Sequence, residues 1–288
     1  MSFSQTIKEE LSGHIGQGRH CQLAELAALL HFCGQYRRDR SGGYAIGFQT
    51  ENVAVSKKGF TLLNKTFNIN TGAEISEEQM REVFAKIGDL AEPVDPLLLK
   101  NSCCQRAFLR GAFLSVGSIS DPAKGYHLEF VCASAQKAEQ IQRVLLNFEI
   151  EAKIVLRKKY HVVYLKEGER IVDLLNVCEA HVALMEFENL RILKEMRNSI
   201  NRRVNCEAAN ITKTVNASSR QIEDIVYIRD HGGFGHLPEG LRQMAEVRLE
   251  HADASLKELG TYLDPPVGKS GVNHRLHKLS EIAEKLRT

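Results

Sequence analysis

Cys21-Gln22-Leu23-Ala24-Glu25-Leu26-Ala27-Ala28-Leu29-Leu30-His31-Phe32-Cys33-Gly34 and Cys104-Gln105-Arg106-Ala107-Phe108-Leu109-Arg110-Gly111-Ala112-Phe113-Leu114-Ser115-Val116-Gly117 align without a gap, and Cys, Gln, Ala, Leu and Gly recur in place. Each stretch has the apolar spacing of a helix. Small residues, Ala28 and Gly111, fall where two helices can cross closely, and Gly34 and Gly117 close each helix with a residue able to turn sharply. Downstream, Gly43-Tyr44-Ala45-Ile46-Gly47-Phe48 answers Gly125-Tyr126-His127-Leu128-Glu129-Phe130, each alternating as a half-buried strand does. Two copies of one unit are implied.

Each copy continues into an amphipathic helix, near Val53 to Phe67 in the first and near Ala135 to Phe148 in the second. The second copy then supplies a hairpin, Glu151 to Arg157 against Tyr160 to Lys166, with Lys158-Lys159 at its turn. The first passes from Asn70-Thr71-Gly72 almost directly into a helix, Glu77 to Ile87, so its second hairpin is expected to be missing. A helix near Glu169 to Val177 follows. Val182 to Val204 then reads as a long connector helix whose later part is basic, through Arg191, Lys194, Arg197, Arg202 and Arg203. The remainder, Asn205 to Thr288, is helical with breaks at His231-Gly232-Gly233, Leu237-Pro238 and Asp264-Pro265-Pro266, which describes a small all-α domain.

A length of 288 residues favours two domains. An apolar content of 43%, no Trp and a net charge of +2 describe an ordinary globular chain, so any basic surface must come from local segregation. The opening MSFSQTIKEEL has no apolar signal-peptide core, and no stretch approaches the roughly 20 apolar residues of a membrane span. A cytoplasmic protein with no membrane partner is expected. Seven cysteines with no CxxC spacing indicate neither a disulfide framework nor a zinc ribbon, so buried free thiols are expected, with no metal and no cofactor. His231-Gly232-Gly233-Phe234-Gly235-His236 is a weak ligand set and reads as a loop between helices.

Near the C-terminus, Ser255 is an N-cap with Glu258 three residues on, a capping box that opens a short helix bearing Leu256, Leu259 and Leu263. The double proline stops it. A second helix starts around Gly268 to Ser270 and buries Val272, Leu276 and Leu279, leaving Lys269, Asn273, His274, Arg275 and Lys278 to face elsewhere. This suits a helix-turn-helix, because the major groove admits one helix, Asn reads adenine, Arg or Lys reads guanine, and Lys269 with Ser270 suits a phosphate at the helix start. Gly268 to Arg287 carries five basic residues (Lys269, Arg275, Lys278, Lys285, Arg287) against two acids (Glu281, Glu284). An amphipathic hairpin with a merely solvated charged face fits the pattern almost equally; the short proline-marked turn tilts the choice to DNA.

The helices Leu26 to Gly34 and Leu109 to Gly117 resemble, in pattern, the LAGLIDADG helices of homing endonucleases, whose two copies pair at a pseudo-twofold axis beneath a DNA-straddling sheet. In that family the acid before each final Gly binds the divalent cation that activates water. Here those positions are Cys33, whose thiol is a poor ligand for magnesium, and Val116, which has no ligand atom, so no cleavage activity is expected. Asp121, in a Ser-Asp-Pro turn, reads as a turn initiator. Taken in order, Arg106-Ala107-Phe108-Leu109-Arg110-Gly111-Ala112-Phe113-Leu114, then Asn201-Arg202-Arg203-Val204-Asn205-Cys206-Glu207-Ala208-Ala209-Asn210 with Lys213-Thr214-Val215-Asn216-Ala217, and Leu263-Asp264-Pro265-Pro266-Val267-Gly268-Lys269-Ser270-Gly271-Val272-Asn273-His274-Arg275-Leu276 make nearly the whole chain resemble the WhiA family of transcription regulators.

The resemblance implies an α+β fold: a pseudo-twofold, catalytically inactive LAGLIDADG-like domain over 1–181, a basic helical linker over 182–206 and an all-α domain over 207–288 with its helix-turn-helix at about 255–287. It also implies bacterial regulators that bind promoter DNA and influence cell division and, in sporulating actinobacteria, sporulation. The truncated first copy departs from the family and weighs against DNA contact through the N-terminal saddle. Lys269, Ser270, Asn273, His274, Arg275 and Lys278 are the expected DNA-binding residues; Arg157, Lys158, Lys159, Arg202 and Arg203 are candidate contacts for DNA or a partner. Three functions stand open: a DNA-binding regulator, a DNA-tethered sensor or docking protein for another regulator or RNA polymerase, and a nuclease, the last disfavoured by its missing acids.

Overall fold

Helix α2 (Arg19–Cys33) and helix α5 (Ser102–Val116) are the paired helices of the two copies, and in the computed structural model they pack directly on one another. The structure describes residues 2–38, 43–70, 72 and 74–287; of the expected Asn70-Thr71-Gly72 junction, Thr71 lies outside the described residues. A Cβ built on Gly111 would lie 2.6 Å from the Glu25 carbonyl oxygen and 2.8 Å from Ala28 Cβ, so the small residues do mark the crossing. Gly111→Ala is expected to push α2 off its seat and cost about 1–3 kcal/mol. Urea unfolding of the variant checks it, and adding Ala28→Gly should recover part of the loss.

Gly34 and Gly117 have another role than the sharp turn expected of them. Their φ angles are −73° and −81°, ordinary extended backbone. A Cβ at Gly34 would sit 2.5 Å from the Leu30 carbonyl oxygen, and one at Gly117 2.7 Å from that of Phe113. Each glycine lets its helix run straight into a strand, β1 (Gly34–Arg38) or β3 (Gly117–Ile119), which the sequence pattern did not reveal.

In the first copy β1 pairs antiparallel with β2 (Tyr44–Phe48), with Gly34 opposite Phe48; in the second β3 pairs with β4 (Leu128–Cys132), with Gly117 opposite Phe130. The repeat thus extends to strand register. Gly125 to His127 precede β4 rather than lie in it. Asp121 initiates the turn before them, its carboxylate accepting from the Ala123 N–H at 2.9 Å. Helix α3 (Val53–Phe67) and helix α6 (Ala135–Leu146) follow, capped by Asn52 and Ser134. The second copy adds β5 (Lys153–Arg157) and β6 (Tyr160–Leu165), giving a four-stranded antiparallel sheet of order β3-β4-β6-β5. The first copy has two strands among the described residues, and a bridge between Tyr44 and Ile75 leads into helix α4 (Glu77–Ile87), opened by a Ser76–Gln79 capping box. Helix α1 (Phe3–Gly13), unforeseen in the sequence, and helix α7 (Gly168–Val177) complete the body.

The chain separates into two compact units, Met1–Met196 and Arg197–Thr288. Helix α8 runs unbroken from His181 to His231, and Glu10 of α1 caps its start by accepting from the Val182 and Ala183 N–H groups at 2.8 and 2.9 Å. The expected connector over 182–206 forms the first half of this helix. No Gly or Pro lies between His181 and His231, so no helix-breaking residue interrupts it. In the second unit a 3-10 turn (Phe234–His236), helix α9 (Glu239–Glu250), helix α10 (Leu256–Thr261) and helix α11 (Lys269–Arg287) follow, with breaks at the three foreseen places.

Candidate nucleic-acid interface

The second unit has one core: Ile225 and Ile228 of α8, Leu241, Met244 and Ala245 of α9, Leu259 of α10, Leu263, and Val272, Leu276, Leu279 and Ala283 of α11. The Ser255 hydroxyl accepts from the Glu258 N–H at 3.3 Å, and a Glu258 carboxylate oxygen accepts from the Ser255 N–H at 2.8 Å. These capping bonds favour the ionised carboxylate and hold its pKa below the usual glutamate value. Between α10 and α11 the Val267 N–H donates to the Gly260 carbonyl at 2.9 Å. A Cβ on Gly260 would run into the Val267 carbonyl oxygen, so the turn is held closely against the first helix.

Burying Val272, Leu276 and Leu279 turns the other side of α11 outward. Lys269, Ser270, Asn273, His274 and Lys278 are all exposed, and they share the N-terminal half of that helix. Arg275 is different. It is half-buried, and its Nη1 donates to the Gly240 carbonyl in the first turn of α9 at 3.4 Å. Residue 275 adjoins the buried stripe at Val272 and Leu276, which explains why its guanidinium leans inward. Arg287, counted in the local basic excess, is exposed but engaged within the unit, 2.9 Å from Asp224 Oδ1 and over the Tyr227 ring.

A groove of about 770 Å³ separates α8 from α11, lined by Lys213, Asn216 and Arg220 on one wall and Asn273, His277 and Ser280 on the other. Sequence reasoning did not assign the first wall to the site. The signal was present, since residues 213, 216 and 220 share one helical face, but nothing local says that this face meets Asn273.

The other candidate contacts are distributed over both units. At the β5–β6 turn Lys158 has a left-handed φ of 56°, Arg157 Nη1 is 3.1 Å from Glu129 Oε2, and Lys159 Nζ sits 5.4 Å from the Tyr160 ring centre. Glu129 thus neutralises one of the three cations of that hairpin. Arg202 and Arg203 are exposed on α8, where Arg203 pairs with Glu207 one turn on at 3.2 Å.

At the nuclease-like ends of the paired helices, Cys33 is buried and its thiol donates to Ser115 Oγ at 3.5 Å. Burial pushes that thiol's pKa up, which keeps it neutral. Val116 packs half-buried against the core. The cleft beside them, about 480 Å³, is lined by Lys8, Glu51, Asn52, Ser115 and Ser118, and the described residues place no cluster of three or more metal-ligating side chains there.

Three family models match this chain in succession: the WhiA N-terminal LAGLIDADG-like domain at residues 19–81, the WhiA LAGLIDADG-like domain at 105–197 and the WhiA C-terminal HTH domain at 200–283. A probable cell division protein WhiA of Lachnoclostridium phytofermentans is 52% identical, with 100% of both chains covered. The chain belongs to the WhiA family. A second probable cell division protein WhiA, from Alkaliphilus oremlandii, is 48% identical over 99% of this chain and 98% of its own. The crystal structure of full-length DUF199/WhiA from Thermatoga maritima is similar at 28% identity and a TM-score of 0.59, covering 99% of each chain. The α+β architecture of paired LAGLIDADG-like copies followed by a helical HTH domain is therefore that of WhiA proteins. Among the described residues no helix is long and apolar enough to cross a membrane.

Proposed function

We propose that this WhiA-family chain is a sequence-specific transcription regulator, without catalytic chemistry, that binds promoter DNA of cell-division genes and, in organisms that sporulate, of sporulation genes. The observation that carries this reading is the outward N-terminal half of α11, where Lys269, Ser270, Asn273, His274 and Lys278 are all exposed on a helix whose opposite side is buried. In this reading α11 enters the major groove, Asn273 meets a base edge, and Lys269 and Ser270 hold a phosphate at the helix start. Lys278, with Lys213 and Arg220 across the groove, holds flanking phosphates, and Arg275 fixes the pose of α11 on α9. Arg202 and Arg203 extend the phosphate contacts along α8. The reader comprises residues 207–288 with 182–206 as its connector, and the protein works in the cytoplasm on the nucleoid.

A second reading concerns the N-terminal unit. The outer face of its larger sheet presents Val131, Val155 and Tyr160 around the Glu129–Arg157 pair, a surface better suited to a protein than to phosphates. In this reading it docks another regulator or RNA polymerase while α11 holds DNA, and Lys158 and Lys159 meet an acidic patch of that partner.

Mapping of chromosomal sites bound by the full chain, followed by titration of a recovered fragment, tests the main reading. Affinity for that fragment is expected to exceed affinity for random duplex by about a thousandfold or more, and to fall steeply between 50 and 200 mM salt, as about 6–10 phosphate contacts require. Equal affinity for both fragments would refute sequence-specific regulation. Cleavage of the fragment with magnesium, lost on mutation of this chain, would refute the absence of catalysis.

A further inference from the structure

The first turns of α2 and α5 carry one dipeptide each just after their first residue, His20-Cys21 and Cys103-Cys104. The repeat that aligns Cys21 with Cys104 also aligns His20 with Cys103, so the pairs are equivalent positions of the two copies. Helix pairing brings them face to face. His20 Nδ1 lies 3.2 Å from Cys104 Sγ, 3.3 Å from Cys21 Sγ and 3.9 Å from Cys103 Sγ, and the four donor atoms all lie within 4.8 Å of one another.

One ring nitrogen has a single proton or a single lone pair, so hydrogen bonding does not account for three sulfurs converging on it. A tetrahedral metal site does. With metal–sulfur bonds of about 2.3 Å and a metal–nitrogen bond of about 2.0–2.1 Å, its nitrogen–sulfur edges come to about 3.6 Å, within the observed spread. Three thiols and one imidazole are borderline-soft donors suited to zinc and unsuited to magnesium or calcium, which require oxygen. Burial raises the pKa of the Cys21 and Cys104 thiols, so both stay protonated until a bound cation displaces their protons. Cys104 is buried, Cys21 half-buried, and His20 and Cys103 exposed, which gives an ion a path in from solvent.

We propose that His20, Cys21, Cys103 and Cys104 form a four-ligand site for one zinc-class divalent ion, which staples the N-termini of the paired helices together. Four protein ligands fill a tetrahedral ion, so the role is structural rather than catalytic. The site is independent of the lost nuclease centre, which belonged at the opposite, C-terminal ends of the same helices at Cys33 and Val116. It also revises the sequence-based expectation of no metal: ligand pairs that are adjacent within each copy, but 83 residues apart between copies, escape any search for CxxC spacing.

The test uses the full chain, purified reduced and without chelator, then loaded with zinc or cobalt(II). One equivalent of zinc per chain is expected, with a sulfur-rich shell at about 2.3 Å by X-ray absorption. Cobalt should give thiolate charge-transfer absorption and the intense visible bands of a tetrahedral ion. The Cys21→Ser/Cys104→Ser pair should lose metal, and Cys103→Ser, at an exposed position, should weaken binding with an unchanged circular dichroism spectrum. Cys206→Ser, at an exposed position on α8, should retain full loading. A reduced wild-type chain that takes up no stoichiometric zinc would overturn the proposal, as would an octahedral cobalt spectrum or equal uptake by Cys103→Ser. A Cys21–Cys104 disulfide in aerobic protein, with no metal uptake once reduced, would also overturn it.

Discussion

Glu25→Ala is expected to destabilise the first unit by roughly 3–5 kcal/mol, the usual consequence of removing one partner from a buried ion pair. Glu25 lies fully buried on α2, and its Oε1 accepts from Lys58 Nζ at 2.5 Å and from Arg110 Nε at 3.0 Å. Lys58, on α3, also donates to the Leu11 and His14 carbonyls at 2.6 Å each. Arg110, on α5, reaches Glu179 Oε2 at 2.5 Å, in the turn between α7 and α8. The network thus ties α1, both paired helices, α3 and the start of α8 to a single carboxylate. Removing it leaves two cations where burial already lowers the Lys58 pKa and only backbone dipoles and the half-buried Glu179 remain to meet them. Glu25→Gln keeps the shape and one acceptor, so its loss should be smaller. Chemical unfolding followed by a probe in the first unit measures both. A Glu25→Ala loss below about 1 kcal/mol, the range of exposed pairs, would show that the network is not buried in solution.

That network was illegible in the sequence for a physical reason. Glu25 stands in an apolar run and Lys58 in an amphipathic helix, and each taken locally is a charge to be placed in water. Only the packing of distant segments makes them partners. The same distinction separates most of what was foreseen from what was not. The repeat, the Ala28–Gly111 crossing, the Ser255–Glu258 cap and the Val272, Leu276, Leu279 stripe depend on spacing within one element or on comparison of two copies. The strands after Gly34 and Gly117, the inward lean of Arg275, the α8 wall at Lys213 and Arg220, and the His20–Cys104 cluster depend on what a residue meets across the fold. Local chemistry set the elements, and tertiary packing chose among the charged residues.

For the DNA reader, the largest expected loss comes from Lys269→Ala combined with Asn273→Ala, and the two parts should be separable. Asn273 is exposed one residue past the buried Val272, on the face that enters the groove in the proposed pose. If its amide holds an adenine edge, Asn273→Ala forfeits about 1–3 kcal/mol at one base position, roughly fivefold to 150-fold in affinity, and relaxes selectivity there. In the proposed pose Lys269, at the first position of α11, meets a phosphate, so Lys269→Ala should weaken every duplex alike and reduce the salt slope by about 1. Arg275→Ala should behave in a third way. Because its guanidinium leans on Gly240, it should loosen the unit as well as reduce affinity, and unfolding measurements should detect that where Asn273→Ala leaves stability intact. Direct titration of matched and single-base-altered fragments with the three variants assigns these roles. An Asn273→Ala chain with unchanged selectivity would remove α11 from base recognition and shift attention to the α8 wall of the same groove, where Asn216 faces Asn273 from the other side.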